Sequence, residues 1–442
     1  MAENETSAAV SSSQAAVERN QHVPILSLPE EVIEFIFSYL GIVPLMRSVY
    51  PSCKKFNEIV SDGKAYWNSV ELFPWNEGFV DDDNFKLYDF TDPKKKPRSI
   101  SSKAWIMLFE MIVSKFGDKF RDVSLFFSID TFPCTPSVFE LIGNHSSSIR
   151  SLKVDAMTSA RDAMTSTLVK VINKCSLTLQ ELTIQGGFPK NDFVQISQII
   201  APTIKALYIE EKEENNTLNL NVNGEEEIMY KELEHLYLGS IRCDKSLFRR
   251  CFNDSTKLKS IVFDQCYLNI EALTEFLTSS NAASNIQHLE ILYCTLDTNV
   301  IPSMNMWSRI FEKCTNLVNI IVYACTVGTE KGNNIDLCFR DEDIAACIDK
   351  CKKLETIDIR NCNHVDGKFF KELPKAKRLE TLIVESKNWN LSNVLPEQTS
   401  SPVYSRSLKH LCMYGEKCDS SLEKPIADMF PKVEFVHLDK FA

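Results

Sequence analysis

The sequence predicts an α/β solenoid, with parallel strands on its concave face and helices on its convex face, preceded by a small three-helix module. Three observations carry this expectation. A strand-like pattern with apolar residues at positions one, four and six recurs from Phe120 to the C-terminal end. Segments with apolar residues at three- and four-residue spacing alternate with its copies. Ahead of both, residues 24–70 hold a group of apolar residues at helical spacing, opened by Ser27-Leu28-Pro29-Glu30.

Residues 1–23 are polar and rich in Ala, Ser and Glu, the composition of a disordered tail without the apolar stretch of a secretory signal. Ser27 to Glu30 then has the spacing of a capping box, with Pro29 suited to a first helical turn, so a helix is expected to start there. Val32, Ile33, Ile36, Phe37 and Leu40 follow on one apolar face, and Gly41 and Pro44 end it. Leu45, Val49, Cys53, Phe56, Ile59, Val60 and Trp67 are spaced as in two further short helices. A core this small is marginal by itself, so apolar surface left outside would gain from a partner.

Residues 71–118 are expected to be a linker and helical cap. They contain Asp81-Asp82-Asp83, the basic run Lys94-Lys95-Lys96-Pro97-Arg98, and a helix from about Lys103 to Phe116. The basic run suits a nuclear localisation signal, but a solvated linker loop is the preferred reading.

From residue 119 to 442 the repeat takes over. Its copies begin with Phe120/Val123/Leu125 and Ile149/Leu152/Val154 and end with Leu408/Leu411/Met413 and Val433/Val436/Leu438. Twelve starts recur about every 28.5 residues, room for one strand and one helix per unit. Such a unit buries its apolar face only against its neighbours. The helices are expected at Met164–Cys175, Asp192–Ile200, Ile270–Leu277, Met304–Cys314 and Asp343–Cys351. Cys266, Cys294, Cys325 and Cys362 each stand eight residues after a repeat start, where a small thiol fits a crowded turn and would meet backbone amides of the next coil.

If positions four and six of each strand point inward, positions three, five and seven face the groove. This yields Tyr208, His235, Tyr237, Asp264, His288, Glu290, Tyr323, Arg360, His410 and Tyr414 as candidate binding residues, with Val262, Leu292, Ile321 and Asp358 among them. Aromatic groups on a face that should be wet have the character of protein-binding hot spots. Two insertions, Glu210–Glu227 and Gly328–Arg340, would extend the site, the first with an acidic loop.

Composition narrows the function. With 60 acidic and 49 basic residues and a net charge of −11, the chain is ill suited to nucleic-acid phosphates or anionic membrane. Fifteen cysteines without a signal sequence are expected to be reduced thiols. Cys347 and Cys351, or Cys362 with His364, lack the further ligands of a zinc site, and neither phosphate-binding glycine loops nor hydrolase motifs occur. No metal, no cofactor and no catalytic residue is expected.

The repeats resemble the cysteine-containing leucine-rich repeats, whose signature is Leu-x-x-Leu-x-Leu-x-x-Cys/Asn, over residues 120–440. The N-terminal module resembles an F-box through Leu28-Pro29-Glu30-Glu31-Val32-Ile33, Ile36, Tyr39-Leu40, Leu45, Val49, Cys53-Lys54, Phe56 and Trp67, although Pro51-Ser52 stand where that family often has an apolar residue or Arg. Together they look like the F-box/leucine-rich-repeat family of SCF (Skp, cullin, F-box) ubiquitin ligases. The resemblance implies a non-catalytic substrate receptor, cytoplasmic or nuclear, docking through Leu28, Pro29, Val32, Ile36, Leu40, Leu45, Val49 and Trp67 to a Skp-type adaptor and thence a cullin. The repeats would hold a substrate protein. The alternative is a repeat scaffold or inhibitor whose helices merely cap the array, without a role in ubiquitination.

Overall fold

The computed structural model describes residues 25–37, 45–62, 67, 69–72, 80–81, 84–87, 98–127, 135–156, 161–186, 193–211, 218–219, 228–297, 306–323, 325–328, 339–362, 364–394, 406–415, 418 and 420–439. The tail, Leu40 and the run Lys94 to Pro97 lie outside them. Two compact units divide the chain, Met1–Trp67 and Asn68–Ala442.

In the smaller unit, Ile25–Ser27 form a 3-10 turn, Glu30–Phe37 and Lys54–Asp62 are α-helices, and Leu45–Val49 is a π-helical turn. The first α-helix starts three residues later than the Ser27 signal predicts. Ser27 is already inside a turn closed by Leu28 N–H donating to the Ile25 carbonyl at 3.2 Å. The Pro29 carbonyl instead accepts the first helical bonds, from Val32 and Ile33 at 3.1 Å each. Glu30 and Glu31 then occupy the first turn, where a negative charge favours the helix dipole.

Among the described residues of the expected apolar face, Ile33 and Phe37 turn inward, Phe37 meeting Phe56 edge to face at 4.9 Å. Val32 and Ile36 remain 42% and 38% exposed. The Cys53 sulfur accepts the Phe56 amide at 3.4 Å, acting as a cap for the second helix. Trp67 is fully buried, and its indole donates to the Val60 carbonyl at 2.8 Å.

The larger unit is a solenoid-like α/β structure built on a 13-stranded parallel sheet. In chain order its strands are Ser69–Leu72, Asp122–Phe127, Ser151–Ala156, Glu181–Gln185, Ala206–Glu210, His235–Gly239, Ser260–Asp264, His288–Leu292, Asn319–Tyr323, Thr356–Ile359, Thr381–Glu385, His410–Tyr414 and Phe435–Asp439, each hydrogen-bonded to the next. Equivalent positions pair without slip: Leu207, Leu236, Ile261, Leu289, Ile320, Ile357, Leu382 and Leu411 form one row. That row and the row at position six are buried. The helical layer covers this side, as Phe248 does by meeting Phe263 at 5.8 Å.

The helices lie close to their expected places: Arg161–Cys175, Phe193–Ile200, Ile270–Ser279, Met306–Lys313 and Asp341–Lys350. Aromatic rings fill the space between coils, Trp307 stacking on Phe339 at 4.2 Å and Phe248 on Phe276 at 5.1 Å.

The region read as a linker is more ordered than expected. Ser69–Leu72 joins the long sheet, with Val70 opposite Val123, so the sheet begins before residue 119. Val80–Asp81, Asn84–Leu87 and Arg98–Ser101 form a small antiparallel sheet where a solvated loop was predicted. Ser102–Phe116 is the expected helix.

A second parallel sheet, also unforeseen, joins Leu218–Asn219, Ile241–Cys243, Tyr267–Asn269, Thr295–Asp297 and Thr326–Gly328. The residue leaving the long sheet in several coils has a left-handed backbone: Gly186 (φ 71), Ser240 (53), Gln265 (52), Tyr293 (50) and Asn361 (63). For a non-glycine residue this conformation costs roughly 1–2 kcal/mol. It is recovered in part by hydrogen bonds to the next coil, from Ser240 to the Asp264 carbonyl and from Gln265 to that of Leu292, both at 2.8 Å, and from Tyr293 to that of Tyr323 at 2.9 Å.

The phase-locked thiols also differ from expectation. Cys266, Cys294 and Cys325 donate to carbonyls of the preceding coil, at Leu238 (3.0 Å), Phe263 (3.5 Å) and Ile291 (3.2 Å), instead of meeting amides of the next. Burial pushes the Cys294 thiol well up, so it stays a donor and seeks an oxygen, whereas hydrogen bonds with neighbouring thiols lower Cys266, against its burial, and Cys325. Cys362 donates within its own coil, to the Arg360 carbonyl at 3.7 Å. A second row, one residue before the repeat start, ties coils in the same way: Thr178 donates to the Ile149 carbonyl at 2.8 Å, Asn285 to Thr256 at 2.7 Å, Asn316 to Ser284 at 2.6 Å and Ser407 to Leu379 at 2.8 Å.

Candidate functional site: the open face of the long sheet

Alternation along each strand leaves positions three, five and seven on the side away from the helices. In His288–Leu292, Leu289 and Ile291 are buried while His288, Glu290 and Leu292 are partly exposed. The register then assembles the candidates into rows. Tyr208, Tyr237, Val262, Glu290, Ile321 and Asp358 stand side by side at position five. His235 and His288 lie in the row at position three, with Ser260 between them. His410 shares that row further along.

Two groups of contacts organise the face. In the first, the Tyr208 and Tyr237 rings lie 6.1 Å apart, and the Tyr237 hydroxyl donates to Asp264 Oδ2 at 3.0 Å. Burial, reinforced by that carboxylate, pushes the Tyr237 phenol well up, so it stays a donor. Gly239 makes the arrangement possible: a Cβ there would fall 2.8 Å from Glu210 Cγ and 3.1 Å from the Tyr237 ring. Glu210 accepts from Gln185 at 2.6 Å.

In the second group Arg360 lies over Tyr323 at 4.7 Å and Tyr414 at 5.6 Å. Asp358 grips the guanidinium through two bonds, Nε to Oδ1 at 2.7 Å and Nη2 to Oδ2 at 2.8 Å, which raise its pKa further. Tyr293 meets Tyr323 edge to face at 5.1 Å, and Tyr414 meets His437 at 5.7 Å. Four rings and one cation thus form a series spanning six coils, Arg360 reaching Tyr414 past the Thr381–Glu385 strand.

Tyr293 was missed as a face residue because period-two counting stops at position seven. Its left-handed backbone throws the side chain, 54% exposed, onto the shoulder of the sheet. Glu385 was missed too; burial raises its carboxyl pKa. Of the two insertions, residues 212–217, 220–227 and 329–338 lie outside the described residues.

In the small unit the described residues expected to dock a partner divide into three sets. Leu45 and Trp67 are buried, at 1% and 0% exposure, and serve as core; Leu28 and Val49 are half-buried. Pro29, Val32 and Ile36 are exposed, beside Ile25 and Leu26 at 39% and 48%. This is an uncovered apolar strip of adjacent turns, of the kind that gains from association.

Cys347 and Cys351 are buried in the helical layer, the Cys351 thiol donating to the Cys314 carbonyl at 3.4 Å. Among the described residues no group of three His, Cys, Asp or Glu side chains is placed to hold a metal ion, and no helix is long and apolar enough to cross a membrane. No protein-family model matches the chain, and no curated protein matches it in sequence.

Proposed function

We propose that this chain is an F-box/leucine-rich-repeat substrate receptor of an SCF-type ubiquitin ligase. The small unit docks to a Skp-type adaptor, and through it to a cullin. The open face of the repeats holds a protein for ubiquitination. The observation that carries the reading is the pairing, in one chain, of a small helical unit with exposed Pro29, Val32 and Ile36 and a long in-register sheet with an aromatic, charged open face. Ubiquitin transfer belongs to bound partners; this chain supplies proximity and orientation.

Co-expression with a Skp-type adaptor tests the first half. The wild type co-purifies with it, and Val32→Glu/Ile36→Glu, which alters exposed side chains only, stays folded and loses it. Failure of the wild type to form a complex at micromolar concentration overturns the reading, as does an undiminished complex with the double variant. For the second half, Tyr237→Ala/Tyr323→Ala keeps the adaptor and loses the captured substrate in pull-downs.

A further inference from the structure

The open face is not evenly charged. Across the six strands from Glu181–Gln185 to Asn319–Tyr323, positions three, five and seven carry Glu181, Glu210, Asp264 and Glu290, and no Lys or Arg. Lys259 stands just before its strand and is already held by Glu234 at 2.5 Å. The same stretch presents Tyr208, 38% exposed, and the half-buried Tyr237 and Tyr323. Asp264 Oδ2 takes the Tyr237 hydroxyl and its Oδ1 is shielded from solvent, so this carboxylate acts on the face through its charge.

Tyrosine faces bounded by carboxylates attract cations through both ring quadrupole and charge. Arg360, set between two tyrosines and a carboxylate further along this sheet, is a built-in example of the cation that fits. We infer that the face between the Ala206–Glu210 and His288–Leu292 strands takes an extended peptide segment bearing Arg or Lys side chains. The inference rests on the proposed receptor function and gives its substrate class. Glu210 and Asp264 are separated by one intervening strand, roughly 10 Å at sheet spacing, which a peptide extended as a polyproline II helix, with every third side chain on one face, covers in about three residues. One basic side chain reaches Tyr208 and Glu210, and a second, about three residues on, reaches Asp264 and Glu290.

The test uses the full chain with its adaptor and a short fluorescein-labelled Gly/Ser peptide carrying Arg at every third position, read by fluorescence polarisation. The Arg peptide binds, an otherwise identical peptide with citrulline for Arg does not, and binding weakens as salt rises. Asp264→Asn/Glu290→Gln weakens it about tenfold, as does the separate variant Tyr208→Ala at an exposed position. Equal binding by wild type and both variants would place the peptide elsewhere on an acidic surface and overturn the inference. Stronger binding of a peptide with Glu for Arg overturns it in favour of acidic recognition at Arg360, and no binding by the wild type overturns it outright. Adaptor co-purification in the same preparation separates the two claims: adaptor bound without peptide refutes this inference alone, and peptide bound without adaptor refutes the ligase reading alone.

Discussion

Removing the Asp341 carboxylate should loosen the join between two coils by an amount the geometry fixes. Asp341 opens the helix Asp341–Lys350 and is only 6% exposed, yet its two oxygens accept three backbone N–H groups of the next coil, from Asp366 at 2.8 Å, Gly367 at 3.0 Å and Phe369 at 2.9 Å. Asp341→Ala leaves three sheltered donors unsatisfied, at about 1–3 kcal/mol each. Against this stands the cost of holding a carboxylate away from water, evident in the upward shift of the Asp341 pKa, for which burial is the main cause. The net expectation is near the lower bound, about 3 kcal/mol. Asp341→Asn keeps one oxygen for Gly367 and Phe369 but turns an N–H toward the Asp366 amide, a loss of about 1–2 kcal/mol. Hydrogen exchange of the amides at 366–369, read by mass spectrometry, measures this directly. Exchange there should speed roughly a hundredfold in the Ala variant and about tenfold in the Asn variant. Unchanged protection in Asp341→Ala, or a larger loss in Asn than in Ala, would refute the clamp.

Other expected outcomes are more local. The Glu385 pKa is raised by burial above its ordinary 4.5, so its folded-state proton stabilises the chain below that value and is lost as pH rises through the shifted pKa. Glu385→Gln should therefore match the wild type in acid and exceed it at neutral pH in urea unfolding; a gap that widens on acidification instead has the wrong sign. Trp67→Ala removes a fully buried ring and its bond to Val60, a loss of about 3–5 kcal/mol that so small a unit cannot absorb. Limited proteolysis should then cut within residues 25–67 while the 68–442 unit resists, and an unchanged digestion pattern would contradict this. Thr178→Val deletes one coil-to-coil donor and should cost about 1 kcal/mol in thermal unfolding.

The long sheet was legible because each strand repeats an apolar triad whose fourth and sixth members point one way, and because the register preserves that phase from Leu207 to Leu411. The candidate rows followed from the same alternation. What escaped notice lacks such a period. Tyr267–Asn269 and its parallel neighbours have three residues or fewer each, too few for alternation to register, and follow a left-handed residue that resets the chain direction. Val80–Asp81 and Asn84–Leu87 sit in a charged stretch that reads as loop. The Ser27 boundary failed because a capping box and a 3-10 turn draw on the same residue types. Leu45 and Trp67 showed their apolar character in the sequence, but whether an apolar residue faces a core or a partner is decided by packing that no local pattern contains.

The left-handed residue that follows five of the long-sheet strands separates shape from identity. Ser, Gln, Tyr, Asn and Gly all occupy it, so the turn is enforced by the coil's hydrogen bonds and leaves the side chain uncommitted. Each of these coils thereby carries one position on the rim of the open face where the residue can be exchanged at no loss of core. A surface assembled this way can vary its chemistry one coil at a time, and at Tyr293 that position adds a ring to the aromatic series at Tyr323.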